Sequence, residues 1–114
     1  MNPETTVKEN YLFRRIYRKG ASAVEPCMVV YCQKNRNGQT RLGVTVSTKL
    51  GKAVIRNRCR RQMRELWRLH KGEITPGYDV IIVVRHRAVR TPYRVMEQQY
   101  LEALKTLHLL EEEG

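Results

Sequence analysis

Apolar side chains recur along the chain in alternating helical and extended stretches. Leu12, Phe13, Ile16 and Tyr17 share one face of a helix predicted over Thr6–Lys19, with Thr6 and Glu9 at capping-box spacing and Gly20 as its stop. Cys27–Lys34, rich in Val and Tyr, is predicted as a strand. Asn37-Gly38 is a turn signal, and Leu42–Thr48 alternates, with Leu42, Val44 and Val46 on one side and Gly43, Thr45 and Ser47 on the other. These two strands are expected to pair as an antiparallel hairpin. A second helix is predicted over Ala53–His70. Ile55, Cys59, Met63, Leu66 and Trp67 form its apolar stripe, roughly 120° wide. Asn57, Arg60, Arg61, Arg64 and Arg68 lie opposite, and Arg56 and Arg58 flank the stripe. Tyr78–Val84 is almost continuously apolar, as a central strand or one covered on both faces would be. Thr91 is expected as the N-cap of a last helix, with Pro92 in its first turn and Met96, Tyr100, Ala103, Leu104 and Leu107 inward. The Glu111–Glu113 tail suits a helix C-terminus poorly and is expected to fray. No repeat or linker interrupts this order, so residues 1–114 are expected to form one layered α/β domain.

Charge changes this picture from a generic fold to one with a partner. The net charge is +11, and it is uneven: 21 basic against 6 acidic side chains through residue 95, then 1 against 5. Between Lys49 and Lys71 nine basic residues meet one acid, Glu65. Such crowding is self-repulsive and fits a polyanion better than a solvated face. Arginine outnumbers lysine, and its planar fork grips phosphate with two bonds and stacks on bases. A hydrophobic fraction of 41% excludes a disordered chain. The longest apolar run, Val80–Val84, is too short for a membrane span, and the polar N-terminus is not that of a signal peptide. A cytoplasmic nucleic-acid binder, without membrane or small-molecule partner, is the expectation.

The residues offer little else for chemistry. Cys27, Cys32 and Cys59 lack the spacing of a zinc site, and an internal bridge between Cys27 and Cys32 is not expected, since an odd separation turns them to opposite faces of a strand. They are expected as buried thiols. His70, His86 and His108 lie in different elements, Asp79 is the sole aspartate, and Lys49-Leu50-Gly51-Lys52 is too short for a phosphate loop. No catalytic residue is assigned. Lys49 and Lys52 stand just before the arginine helix, whose N-terminus favours phosphate. Phe13, Tyr17 and Tyr31 either pack the core or offer stacking surfaces to unpaired bases; partial exposure at a cleft edge satisfies both.

The run from Arg41 to Arg61, with its heart Gly51-x-Ala53-Val54-x-Arg56-Asn57-Arg58-x-x-Arg61, resembles the signature of the bacterial ribonuclease P protein subunit. Phe13-x-x-Ile16-Tyr17-x-x-Gly20 resembles the first-helix pattern of that family, and Gly77-Tyr78-Asp79-Val80 the start of its late strand. The resemblance covers nearly the whole chain. It implies an α+β sandwich in the order αβββαβα, with a small, mostly antiparallel sheet and a left-handed β-α-β crossover carrying the arginine helix. It implies a protein that is a monomer in its holoenzyme. There it binds a catalytic RNA, which cleaves the 5′ leader from precursor tRNA using magnesium (Mg2+). Arg56, Asn57, Arg58, Arg60, Arg61, Arg64 and Arg68, with Lys49 and Lys52, are then the residues for the catalytic RNA. Phe13, Tyr17 and Tyr31 line the cleft for the single-stranded leader. No dedicated metal site on the protein is implied.

Two departures from the family pattern stand out. Residues 1–7 hold no basic side chain where some members carry a basic extension, and Cys59 replaces a branched aliphatic residue on the core side of the arginine helix. The rival readings are a ribosomal or general RNA-binding module without a role in cleavage, and a protein-only nuclease.

Overall fold

The structure, a computed structural model, describes residues 10–36 and 38–110. The Thr6–Glu9 capping box, the Leu12 side chain, Asn37 and the Glu111–Glu113 tail lie outside the described residues. The elements are α1 (Asn10–Lys19), β1 (Ala21–Val24), β2 (Met28–Lys34), β3 (Arg41–Thr45), α2 (Ala53–His70), β4 (Tyr78–Val84) and α3 (Tyr93–Thr106). Short 3-10 turns at Thr48–Leu50, Lys71–Glu73 and His86–Arg90 join them. The α+β order αβββαβα implied by the resemblance holds.

The sheet runs β1-β2-β4-β3. β1 and β4 flank β2 antiparallel, and β3 lies parallel to β4, with Arg41 opposite Asp79 and Thr45 opposite Val83. The expected β2–β3 hairpin therefore does not form. The apolar strand β4 takes the place between them, because it is the strand with most to bury on both faces. The turn chemistry is still spent locally: Gly38 adopts φ 74°, and the connection straddles the start of β4. There Asn35 N–H donates to the Gly77 carbonyl at 2.8 Å and Gly77 N–H to the Thr40 hydroxyl at 3.2 Å. The strand expected over Leu42–Thr48 ends at Thr45, and Ser47 caps the 3-10 turn that follows by accepting from Lys49 N–H at 3.1 Å.

Alternation along the strands splits the interior in two. Val30, Leu42, Val80 and Ile82 face α2 and α3 and form the main core with Cys59, Met63, Leu66, Trp67, Met96, Tyr100 and Leu104. On the opposite face Ile81 meets Ile16 of α1 in a small second cluster, with Phe13, Tyr31 and Val83 packed against it. Among the described residues α1 is the helix that covers that face. The helix ends where Gly20 N–H donates to the Ile16 carbonyl at 2.8 Å. A Cβ on Gly20 would stand 2.4 Å from the Cys32 carbonyl oxygen, so only glycine lets α1 approach β2 this closely.

The α2 boundaries match the expectation, because a period of 3.6 sustained over 18 residues is a strong signal. Cys59 is fully buried, as its place on the stripe required. The cap of α3 is Pro92 rather than Thr91: the Pro92 carbonyl accepts from Val95 and Met96, while the Thr91 hydroxyl turns back to donate to the Arg87 carbonyl at 2.7 Å. All three cysteines are buried free thiols. Burial pushes Cys27 up to about 11 and raises Cys32 and Cys59, which leaves them unreactive at neutral pH.

Candidate nucleic-acid interface

The wall of α2 follows from its two-sided sequence. With Cys59, Met63, Leu66 and Trp67 buried against the sheet and α3, Asn57, Arg58, Arg61, Arg64 and Arg68 are exposed. Arg56 and Arg60 are half-buried, so Arg60, expected opposite the stripe, is less exposed than Arg58, expected at its flank; its bond to Asn57 folds it back along the helix. Three of the guanidiniums are anchored by a single hydrogen bond each. Arg56 donates to the Gly51 carbonyl at 3.2 Å, Arg58 to the Val89 carbonyl at 3.2 Å, and Arg60 to Asn57 Oδ1 at 3.0 Å. A guanidinium has five N–H donors, so each anchored fork keeps most of its donors for a ligand while losing rotamer freedom beforehand. Asn57 thus acts as the positioner of Arg60.

Arg61 and Arg64 make no ion pair or hydrogen bond among the described residues. Arg68 differs: both of its forks reach Glu65, which lowers the Glu65 pKa and raises its own through that hydrogen bond. Arg68 is therefore the member of the set already partly neutralised. Lys49 and Lys52 are exposed beside the N-terminus of α2, whose first turn holds no acid. Among the described residues only Arg41 and Arg68 are ion-paired arginines. The other described arginines carry no intramolecular counter-charge within ion-pair distance.

The aromatic cleft is a separate surface on the other face of the sheet. The Phe13 and Tyr17 rings lie 6.2 Å apart, and Tyr17 meets Tyr31 edge-to-face at 4.8 Å. The Tyr17 hydroxyl reaches Thr45 Oγ1 on β3 at 3.4 Å, so the wall spans from α1 across β2 to the sheet edge. Phe13 and Tyr31 are half-buried, while Tyr17 is 39% exposed. Packing and stacking therefore coexist: the inner edges seat α1, and the Tyr17 face is open. The structure brings Phe13, Tyr17 and Tyr31 together, and it keeps them apart from the α2 wall.

Sequence reasoning missed the polar end of this face. Asp79 is buried, accepts both forks of Arg41 at 2.8 Å, and accepts from Asn35 Nδ2 at 3.0 Å. Arg15, Lys34 and Arg36 surround the same hollow. The signal was available in the lone aspartate heading an apolar strand, since a buried carboxylate needs a cation. His70 was also passed over. Its ring N–H groups donate to the Glu73 and Glu97 carboxylates, both at once in the protonated ring, linking the end of α2 to α3. Burial alone would lower its pKa, but the bonds to Glu97 and Glu73 outweigh it and hold the imidazole above its ordinary 6.5. His86 and His108 are exposed. Among the described residues no group of three or more His, Cys, Asp or Glu side chains is placed to hold a metal ion. No described helix is long and apolar enough to cross a membrane.

Comparison with known proteins agrees with this geometry. The family model for ribonuclease P matches residues 1–108. The ribonuclease P protein component of Alkaliphilus oremlandii is 36% identical over 104 residues, 91% of each chain. That of Clostridium botulinum strain Langeland is 39% identical over 103 residues, 90% of this chain and 93% of the relative. The RNase P protein of Staphylococcus aureus superposes with a TM-score of 0.85 at 34% identity, covering 93% of this chain and 97% of that one. The RNase P protein of Thermotoga maritima gives 0.78 at 29% identity, covering 94% and 98%. Sequence match and fold agree over almost the full length, and the chain belongs to the ribonuclease P protein family.

Proposed function

We propose that the protein works in the cytoplasm as the monomeric RNA-binding subunit of ribonuclease P, assisting the endonucleolytic 5′ maturation of tRNA. The α2 wall, with Arg56, Asn57, Arg58, Arg60, Arg61 and Arg64, takes the phosphates of the catalytic RNA. Lys49 and Lys52 extend it, and Arg68 joins once it leaves Glu65. The cleft of Phe13, Tyr17 and Tyr31 takes the single-stranded leader of precursor tRNA. The observation that carries this reading is the pairing of two unlike surfaces on opposite faces of one sheet. One is charged and pre-anchored, suited to a folded RNA backbone. The other is aromatic and open on one side, suited to unpaired bases.

The division of labour follows. Bond cleavage needs a metal-activated water, and magnesium supplies that when held by the RNA. This chain binds and orients: its cations screen repulsion between two polyanions, and its aromatics hold the leader while the duplex part of the substrate meets the RNA.

Reconstitution tests the reading. The protein alone should leave precursor tRNA intact, and adding it to the catalytic RNA should tighten precursor binding and raise cleavage at moderate salt. If α2 makes about five to eight phosphate contacts, log affinity for the RNA should fall against log salt with a slope of about −4 to −7. A slope near zero, or precursor binding indifferent to the protein, would overturn the reading; cleavage by the protein alone would favour the nuclease alternative.

A further inference from the structure

The basic surface does not stop at α2. Residues 85–94 hold Arg85, Arg87, Arg90, Arg94 and His86 and no acid. The His86–Arg90 turn at their centre is firmly held. Ala88 is buried in the main core, Arg85 N–H donates to the Cys27 carbonyl at 2.9 Å, and Thr91 N–H donates to the Ala88 carbonyl at 3.2 Å. Arg85 also donates from its guanidinium to the Glu25 carbonyl at 2.9 Å. His86, Arg87 and Arg90 are left exposed, and neither Arg87 nor Arg90 is ion-paired among the described residues.

The arginine helix touches this turn directly. Arg58 donates to the Val89 carbonyl at 3.2 Å, one residue before Arg90 and two after Arg87. Arg87 and Arg90 stand one 3-10 turn apart, with Arg87 also lining a hollow beside Glu25 and Arg85, and Arg58 reaches the backbone between them, so arginines from two distant parts of the chain gather at one turn. Their mutual repulsion is relieved by a polyanion laid across them. A rigid turn presenting arginine forks suits bidentate phosphate contact, which positions a nucleic acid without reading its sequence.

We propose that the His86–Arg90 turn is a second phosphate-binding element for the catalytic RNA, continuing the α2 contact across Arg58 onto Arg87 and Arg90. This rests on the assignment of α2 to that RNA, and the test separates the two. The affinity of the full-length protein for the catalytic RNA is measured over a salt series for the wild type, R61A/R64A and R87A/R90A. Each lost phosphate contact flattens the slope by about 0.7–0.9, so each double variant should flatten it by about 1.5, with an unchanged melting temperature. R61A/R64A flattening the slope while R87A/R90A matches the wild type in slope and Kd would overturn the proposal and leave the α2 reading standing. If neither flattens it, the α2 reading falls and takes the proposal with it. If R87A/R90A spares RNA binding and weakens only the holoenzyme's hold on precursor tRNA, the turn serves the substrate, and the proposal is again overturned.

Discussion

Tyr17→Ala separates a stacking role from a packing role in the cleft, because the two have different magnitudes at this position. Tyr17 is 39% exposed and touches the fold mainly through the Tyr31 ring at 4.8 Å. An edge-to-face pair is worth about 0.5–1.5 kcal/mol, so the variant should unfold only slightly more easily. The hydroxyl contact to Thr45, long at 3.4 Å and exposed, adds little. A base stacked on the ring contributes about 1–3 kcal/mol. Its loss corresponds to about a 5- to 150-fold weaker Kd at 25 °C. The assay compares holoenzyme affinity for precursor tRNA carrying a leader of several nucleotides with that for mature tRNA, using variants shown to be folded. Tyr17→Ala should weaken the first and leave the second unchanged. Tyr17→Phe keeps the ring and should bind both as the wild type does. An equal loss for both substrates would refute the leader assignment and return the ring to packing α1.

Trp67→Ala should cost about 3–5 kcal/mol in urea denaturation, since the ring is buried between α2 and the main core, whereas Arg61→Ala should leave the midpoint in place. Arg41→Ala leaves the buried Asp79 carboxylate with Asn35 as its remaining donor from the set and should destabilise by about 3 kcal/mol, the lower end for a broken buried pair because Arg41 is partly exposed. His70 has a folded pKa raised above its ordinary 6.5, so its link to Glu73 and Glu97 stabilises fully below that value and loses its contribution as pH rises through the raised one. The stability difference between wild type and His70→Asn in denaturation should therefore be largest below 6.5 and shrink as pH rises through the raised pKa; a constant difference would show that protonation of His70 plays no part.

The helices were legible in the sequence because their signals are periodic and long. Cys59, Met63, Leu66 and Trp67 fix which side of α2 is buried, and with it the outward direction of Arg61, Arg64 and Arg68, whereas the relative exposure of Arg58 and Arg60 depends on the Val89 and Asn57 contacts. The central position of β4 was legible from its unbroken apolar run. Strand pairing was not, because Asn37-Gly38 announces a turn without naming the partner beyond it. The edges of β2 were claimed by β1 and β4, and β1 is four residues of mostly exposed Ala, Ser and Val with almost no pattern of its own. The aromatic members of the cleft could be listed from helical spacing and one strand position. Their meeting depends on how α1 crosses the sheet, which no local pattern encodes. The Arg41–Asp79 pair and the Arg58–Val89 contact join residues 38 and 31 positions apart and became visible only with the fold.

The close approach of α1 to β2 at Gly20 makes the breadth of the aromatic cleft a main-chain dimension. Helix and strand touch through the Gly20 Cα and the Cys32 carbonyl, with no side chain between them to lengthen or trim. Drift in sequence can therefore repaint the walls at positions such as Phe13, Tyr17, Tyr31 or Thr45, altering their chemistry, while the gap between those walls stays constant. Any methyl group at the junction acts as a wedge that lifts the whole helix, so the gauge of the groove is inherited as a unit and changes only by a step.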